Sequence, residues 1–408
     1  MPLLKKNKNP ETPRDSWMKK LFSAGETNLA INLAVLVLTA FGSIMIVSAS
    51  LGTSASPSGV AREAVKQAII VAISLVIYWG LAKTFTWRKY KYVSTFAVMG
   101  VVILIAATLV VGRESGGAKA WLNFGGMSFQ PSELAKPLLI VVCASAVKKY
   151  NTPRGRNAGF FDVFRTPLLL LGTLIAMIIV QKDMGTAAIT LGIAVTCFLV
   201  PGWKGLRQAQ NWIKISLAAL MVIGVVTVYA TGAASAVFRS TGFFSHMATR
   251  IDNMKNPYND VYGEGYQPAN ALYALADAGP FGKGIGNSAR KYGYLTQANS
   301  DYIFAVVVEE TGLIGFGLIV ALYGVILWQL FRYSLKARDP ADKVLFCGTA
   351  SYILLHFIAN VGGVITMIPM TGVPLLFISG GGTSLMSICA ALGICQSQVM
   401  KINREAEE

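Results

Sequence analysis

Apolar runs alternate with short polar segments along almost the whole chain, and each run is close to the ~20 residues needed to cross a hydrocarbon core. The pattern predicts spans at about 29–49, 64–81, 93–111 and 134–147. From Pro167 to Val200 the chain is almost uniformly apolar, interrupted only by QKDMG at 181–185. A single helix of that length would measure ~50 Å against a ~30 Å core, so the break is expected to be a turn between a fifth and a sixth span. A seventh span is expected at about 215–230 and an eighth from Asp301 to Leu330. The eighth is longer than crossing requires, which implies tilt or projection beyond the bilayer. The ninth covers about 344–367, and the tenth ends near Met400. Between the seventh and eighth lies the long polar stretch 231–300, the only loop large enough to hold structure of its own. The expected fold is therefore all-α: a polytopic integral membrane protein with about ten transmembrane helices and one large loop. Its parts are an N-terminal tail (1–28), a single transmembrane domain (29–400, including the loop 231–300) and a C-terminal tail (401–408). The first long apolar run begins only near Leu29, so no cleavable signal peptide is expected. No internal repeat is visible.

Composition agrees and charge supplies an orientation. Of 408 residues, 54% are hydrophobic and 14% charged, where soluble domains carry roughly a quarter charged residues. The net charge is +16, from 36 Lys and Arg against 20 Asp and Glu. That excess does not gather into a nucleic-acid patch. The N-tail, the segments near 83–91, 148–165, 202–214 and 332–343, and the C-tail hold 24 of the 36 basic residues. Ten spans put these segments on one side, and the positive-inside rule makes that side cytoplasmic. Both termini are then cytoplasmic and 231–300 is extracytoplasmic. The basic segments also suit anionic lipid. Five cysteines (143, 197, 347, 389, 395) sit inside apolar runs without CxxC spacing, which reads as small buried hydrophobes rather than metal ligands. With only His246 and His356 present, a His-rich metal site is excluded.

Ionisable residues at membrane depth are costly, so each is a candidate functional residue. Glu133 and Lys136, spaced i, i+3, share a helix face and can neutralise each other. Asp183 in QKDMG suits a helix cap or a substrate contact equally. The stretch Gly263–Gly315 is Gly-rich and polar, carries Lys283, Arg290 and Lys291, and runs into an apolar helix pattern opening at Asp301. Asp301 at that rim suits a helix cap or a reactive carboxylate. Clustered cations beside Gly-rich backbone suit either solvated loop charge or a pyrophosphate. Glu309 and Glu310 lie ~12 Å further along the helix, where packing or polar networks are expected of them. In PMTGVPLLFISGGGTS, 369–384, three consecutive glycines imply irregular backbone at membrane depth, with Ser379 and Gly381 as candidate site residues. Such backbone is tolerated only where it is buried in protein or lines a wet cavity.

Four stretches resemble the SEDS family (shape, elongation, division and sporulation), the FtsW/RodA type. They are AKAWLNFGGMSFQPSELAK, QKDMGTA, the run from GEGYQPANALYAL through GPFGKGIGNS to SDYIFAVVVEETGLIG, and PMTGVPLLFISGGGTS. The likeness covers nearly all of 29–400, with GNSARKYGYL and the Ser-Asp pair 300–301 closer to the division type. Three positions depart from the family pattern. Ala120 stands where a basic residue usually precedes the Trp, Lys182 replaces a Pro, and Gly380 replaces a Tyr.

The resemblance implies a peptidoglycan glycosyltransferase of the bacterial cytoplasmic membrane. It would polymerise lipid II on an undecaprenyl pyrophosphate carrier during division or elongation. Asp301 corresponds to the family's catalytic carboxylate, with Glu133 and Lys136 lining the active cavity. Such a step needs a base for the acceptor hydroxyl and positive charge for the departing phosphates. Lys136, Lys283, Arg290 and Lys291 are candidates for the phosphate side. No cofactor is required, although a divalent cation on the substrate pyrophosphate is compatible with the sequence. The expected partners are a class B penicillin-binding protein transpeptidase and other divisome or elongasome membrane proteins, with no nucleic acid. Two other readings remain: a lipid II flippase using the same substrate and cavity, and a membrane scaffold for cell-wall enzymes, which would need neither Asp301 nor the basic outer loop.

Overall fold

In the computed structural model, which describes residues 27–53, 56–115, 118–124, 127–230, 233–240 and 245–408, the apolar runs are helices. They are α1 (Leu29–Ser50), α2 (Pro57–Thr84), α3 (Trp87–Val111), α4 (Pro131–Tyr150), α5 (Phe160–Val180), α6 (Met184–Leu199) and α7 (Arg207–Val225). The long loop holds α8 (Ala233–Ser240), α9 (Ser245–Lys255) and α10 (Tyr266–Ala276). Then come α11 (Ile303–Lys336), α12 (Pro340–Val364) and α13 (Gly382–Glu407). Among the described residues, eight helices are long and apolar enough to cross a membrane. The other two expected spans are α6, only 16 residues long, and α4, which carries Glu133, Lys136, Lys148 and Lys149. The protein is a multi-pass membrane protein.

Local sequence explains where the helices start. Ser56 caps α2 with Pro57 next, Thr86 caps α3, and Asp339 caps α12 with Pro340 next. Each side chain accepts from an orphan N–H, and Pro at the first helical position gives up a donor that has no partner there anyway. Packing then joins α13 to α2, α11 to α1 and α12, and α12 to α4 and α6. Between helices, buried polar groups find one another, as expected where lipid offers no alternative partner. Gln396 on α13 donates to Asn32 on α1 (2.8 Å) and to the Tyr78 hydroxyl on α2 (3.1 Å). In the apolar span that includes α7 the most apolar stretch holds no buried residue, which leaves its apolar surface for lipid.

Polar contacts sort the connections to two ends of the bundle. At one end Lys148 meets Asp339 (2.5 Å), Trp87 donates to Asp342 (3.0 Å) and Lys401 approaches Asp342 (3.4 Å). Those are the basic segments. At the other end gather 113–114, 118–123, 128–130, 182–184, 297–301 and 371–384, together with α9.

Two expectations need correction. The Gly-rich segment before α4 folds as an antiparallel sheet of β1 (Arg113–Ser115), β2 (Ala118–Phe124) and β3 (Met127–Phe129). Its middle strand alternates, with Ala120 and Leu122 buried and Trp121 and Asn123 on the other face. The helix α11 does not open at Asp301; it starts at Ile303, and Tyr302 occupies the cap position. Asp301 lies in the preceding turn. In the C-terminal tail α13 continues to Glu407, helped by Lys401 pairing with Glu405 one turn on and with Asp342.

Helix α11 is also two helices. Gly312 adopts φ +68° and ψ −167°, which breaks the ladder. The loop residues 279–284 fill the gap with backbone: Lys283 and Gly284 donate to the carbonyls of Glu309 and Glu310 (2.9 Å each). Leu313 and Ile314 donate to Gly279 (3.2 Å) and Pro280 (3.1 Å). A Cβ on Gly312 would stand 2.4 Å from Gly282 N and Pro280 O, so only glycine fits.

Candidate active site

The turn 297–302 is held by three successive carbonyls. Gly380 N donates to Asn299 O (2.8 Å), Ser379 Oγ to Ser300 O (2.9 Å) and Asn360 Nδ2 to Asp301 O (3.0 Å). The donors come from α12 and from the irregular segment between α12 and α13, whose backbone reaches φ +56° at Thr366 and +68° at Phe377. Left-handed backbone at non-glycine residues persists only where the surroundings enforce it, and it clusters at functional sites. Ser379 is thus a staple behind Asp301, while Gly380 and Gly381 face the cavity. A Cβ on Gly380 would approach Asn299 O to 2.9 Å.

The Asp301 side chain stands in the wall shared by two cavities. One, of about 430 Å³, is bounded by the sheet, the start of α4, the 181–184 turn, α9 and the glycines 380–382. The other, of about 320 Å³, lies beneath α9 and α10 against Tyr302, Thr366 and Met370, and it shares Arg250, Gln297 and Asp301 with the first. The larger cavity collects opposite charges: Lys66, Arg113, Lys182 and Arg250 against Glu114, Glu133, Asp183 and Asp301. Burial pushes the Asp301 carboxyl up to about 6, with Arg250 pulling the other way and Asp183 adding to the rise.

Glu133 and Lys136 pair as their spacing suggests, both buried, with Glu133 at the cavity wall. Asp183 caps α6 by accepting from Thr186 N (3.0 Å), accepts from Gln130 Nε2 (2.8 Å), and also lines the cavity. Lys119 does not stand in for a base at Ala120, since its Nζ donates to the carbonyls of Leu109 (3.0 Å) and Val110 (3.3 Å).

The three loop cations are placed elsewhere. Lys283 bonds Glu309 (2.8 Å) and Lys291, fully buried, bonds Glu310 (2.8 Å). Arg290 lies over the rings of Tyr273 and Tyr294, 5.2 Å from each, and donates to Asn270 (2.8 Å). None of the three lines either cavity. Glu309 and Glu310 anchor this part of the loop, taking N–H groups from Gly286 (3.0 Å) and Ala289 (3.2 Å) and the hydroxyls of Ser288 (2.6 Å) and Ser48 (2.8 Å).

Sequence reasoning missed Arg113, Gln297 and above all Arg250. Its only signal was a basic residue in an outer loop, which Lys283 gave equally. Among the described residues no three His, Cys, Asp or Glu side chains group closely enough to hold a metal ion.

A "cell cycle protein" family model covering FtsW, RodA and SpoVE matches residues 28–407. The chain belongs to this family. Among curated relatives, the probable peptidoglycan glycosyltransferase FtsW of Bacillus subtilis (strain 168) is 29% identical over 386 residues, covering 92% of this chain and 91% of that one. The Enterococcus hirae protein of the same name is 31% identical over 318 residues, 76% of each chain. Among solved structures, one described as a peptidoglycan synthase complex that coordinates polymerization and crosslinking superposes with TM-score 0.66 at 24% identity. It covers 93% of this chain and 98% of that one. Thermus thermophilus RodA superposes at 0.58 with 22% identity, covering 94% and 98%. These likenesses establish a polytopic helical membrane fold.

Proposed function

We propose that this protein is a peptidoglycan glycosyltransferase that polymerises lipid II, with Asp301 as the base. The observation that carries the reading is the place of the Asp301 carboxylate, between two cavities, one of them lined by four cations. A polymerase must hold two saccharides at once with one proton acceptor between them. In the step proposed, Asp301 takes the proton from the 4-hydroxyl of the acceptor GlcNAc as that oxygen bonds to the donor's anomeric carbon. The bond from that carbon to the pyrophosphate oxygen breaks, and the electron pair leaves with undecaprenyl pyrophosphate. A pyrophosphate leaves without a general acid, so one carboxylate with cations is a sufficient inventory. Arg250, lining both cavities, is the first candidate to bind the phosphates. Arg113 and Lys182 follow; Lys283, Arg290 and Lys291 are not required. A divalent cation, if used, would ride on the substrate pyrophosphate.

Relatives named as probable peptidoglycan glycosyltransferases support the activity, and family membership supports division or elongation as the setting. The same reading places both termini in the cytoplasm, the two cavities at the outer face, and a single-span transpeptidase beside the helices as the cross-linking partner. The test is to incubate the purified protein, alone and with its co-purified partner, with lipid II and resolve the products by size. The expected result is a ladder of glycan strands; lipid II left intact in both arms would remove the proposal.

A further inference from the structure

Behind the larger cavity, a chain of buried contacts runs from one of its walls to another. Glu133 on α4 lines the cavity, and so does Pro374 in the irregular segment. Between them stand Lys136 and His356, both with no exposure to solvent. Lys136 Nζ bonds a Glu133 carboxylate oxygen and lies 3.0 Å from His356 Nε2. His356 Nδ1 lies 3.0 Å from Pro374 O. The Tyr352 hydroxyl donates to the second Glu133 oxygen (3.3 Å).

Donor and acceptor chemistry fixes the proton on this ring. An ammonium only donates, so Nε2 accepts; a carbonyl only accepts, so Nδ1–H donates. The ring is neutral, in one tautomer, and each nitrogen has one partner. Without it, a buried ammonium loses an acceptor and a buried carbonyl loses a donor, both costly in a low-dielectric interior.

We infer that His356, which reaches neither cavity, is a positioning residue for the transfer step: it locks the Glu133–Lys136 pair and the Pro374 carbonyl into one cavity wall. This rests on the glycosyltransferase reading. The role belongs to the donor–acceptor pattern rather than to imidazole itself. A glutamine carboxamide offers the same pattern, an N–H donor and an acceptor separated by one carbon, as Nδ1 and Nε2 are.

The test compares lipid II polymerisation and thermal unfolding for wild type, His356→Gln, His356→Leu, Lys136→Met and the double variant Lys136→Met/His356→Leu. Substitution by Gln is expected to keep kcat within a few-fold of wild type. Leu should lower kcat about ten- to a hundredfold, the rate equivalent of one lost charge-assisted hydrogen bond, with little change in KM. The double variant should be no slower than the slower single variant, as expected for residues acting as one unit. A His356→Leu variant at the wild-type rate would overturn the inference. So would a Gln variant as slow as Leu, or a loss of rate that merely tracks loss of folded protein. If wild type itself makes no glycan, the underlying reading has failed instead.

Discussion

A carboxyl held at about 6 by burial is ionised at neutral pH yet still basic enough to accept a proton. If Asp301 is the base, the polymerisation rate should level off above pH ~6 and fall about tenfold per pH unit below it, the signature of one essential ionised group. A flat profile between pH 5 and 8 would exclude that role. Stability carries the opposite sign. The folded-state value lies above the ordinary 3.8, so between about 3.8 and 6 the folded protein binds more protons than the unfolded chain. The stability contribution is full below that window and is lost as pH rises through it. An Asp301→Asn variant should therefore unfold at a temperature equal to or above wild type at pH 7.5, with the gap closing toward pH 4. The capping reading of Asp301 fails because Tyr302 takes the cap position. Glu133 and Lys136 were legible because partners one helical turn apart meet without help from the fold. The Lys291–Glu310 pair was not, since 19 residues and a folded loop separate the two.

At the scale of elements, the break in α11 is the feature most sensitive to single changes. Gly312→Ala should destabilise the protein by at least ~1–3 kcal/mol from backbone strain alone, and the contacts of 2.4 Å to Gly282 and Pro280 add to that. Gly317, in the same helix, is the control: a Cβ added there would meet nothing within 4 Å, and Ala should be neutral or slightly stabilising. Equal unfolding temperatures for the two variants would show that the loop does not clasp the helix. Removing one member of the fully buried Lys291–Glu310 pair should cost ~3–5 kcal/mol. The variant Lys291→Met/Glu310→Gln should recover part of this, as measured by unfolding in detergent. The Asp183 cap and the 181–183 turn could be read in advance because an Asp beside a break between two apolar runs acts locally. The sheet could not, because Gly-rich sequence signals turns and gives strands little propensity. Nor could the α11 break, because it depends on backbone from residues 279–284 entering the helix at Gly312.

For the whole molecule, a multi-pass helical membrane fold was legible, since it follows from the cost of polar groups in lipid. The two cavities were not, because they join segments as distant as Lys66 and Ser384. The orientation can be checked by labelling from outside in a variant without the five native cysteines. A cysteine replacing Tyr262, which is 94% exposed, should react, and one replacing Arg154 should not; the reverse pattern would invert the topology. The most direct measurement of the central claim is lipid II polymerisation by purified Asp301→Asn protein with its transpeptidase partner. Loss of a general base typically lowers the rate ~10²–10⁴-fold, so glycan strands should fall to background while expression, partner binding and unfolding temperature stay at or above wild type. A variant that still builds glycan at a near-normal rate would contradict the account, as would a wild type that moves lipid II across vesicles and never joins it.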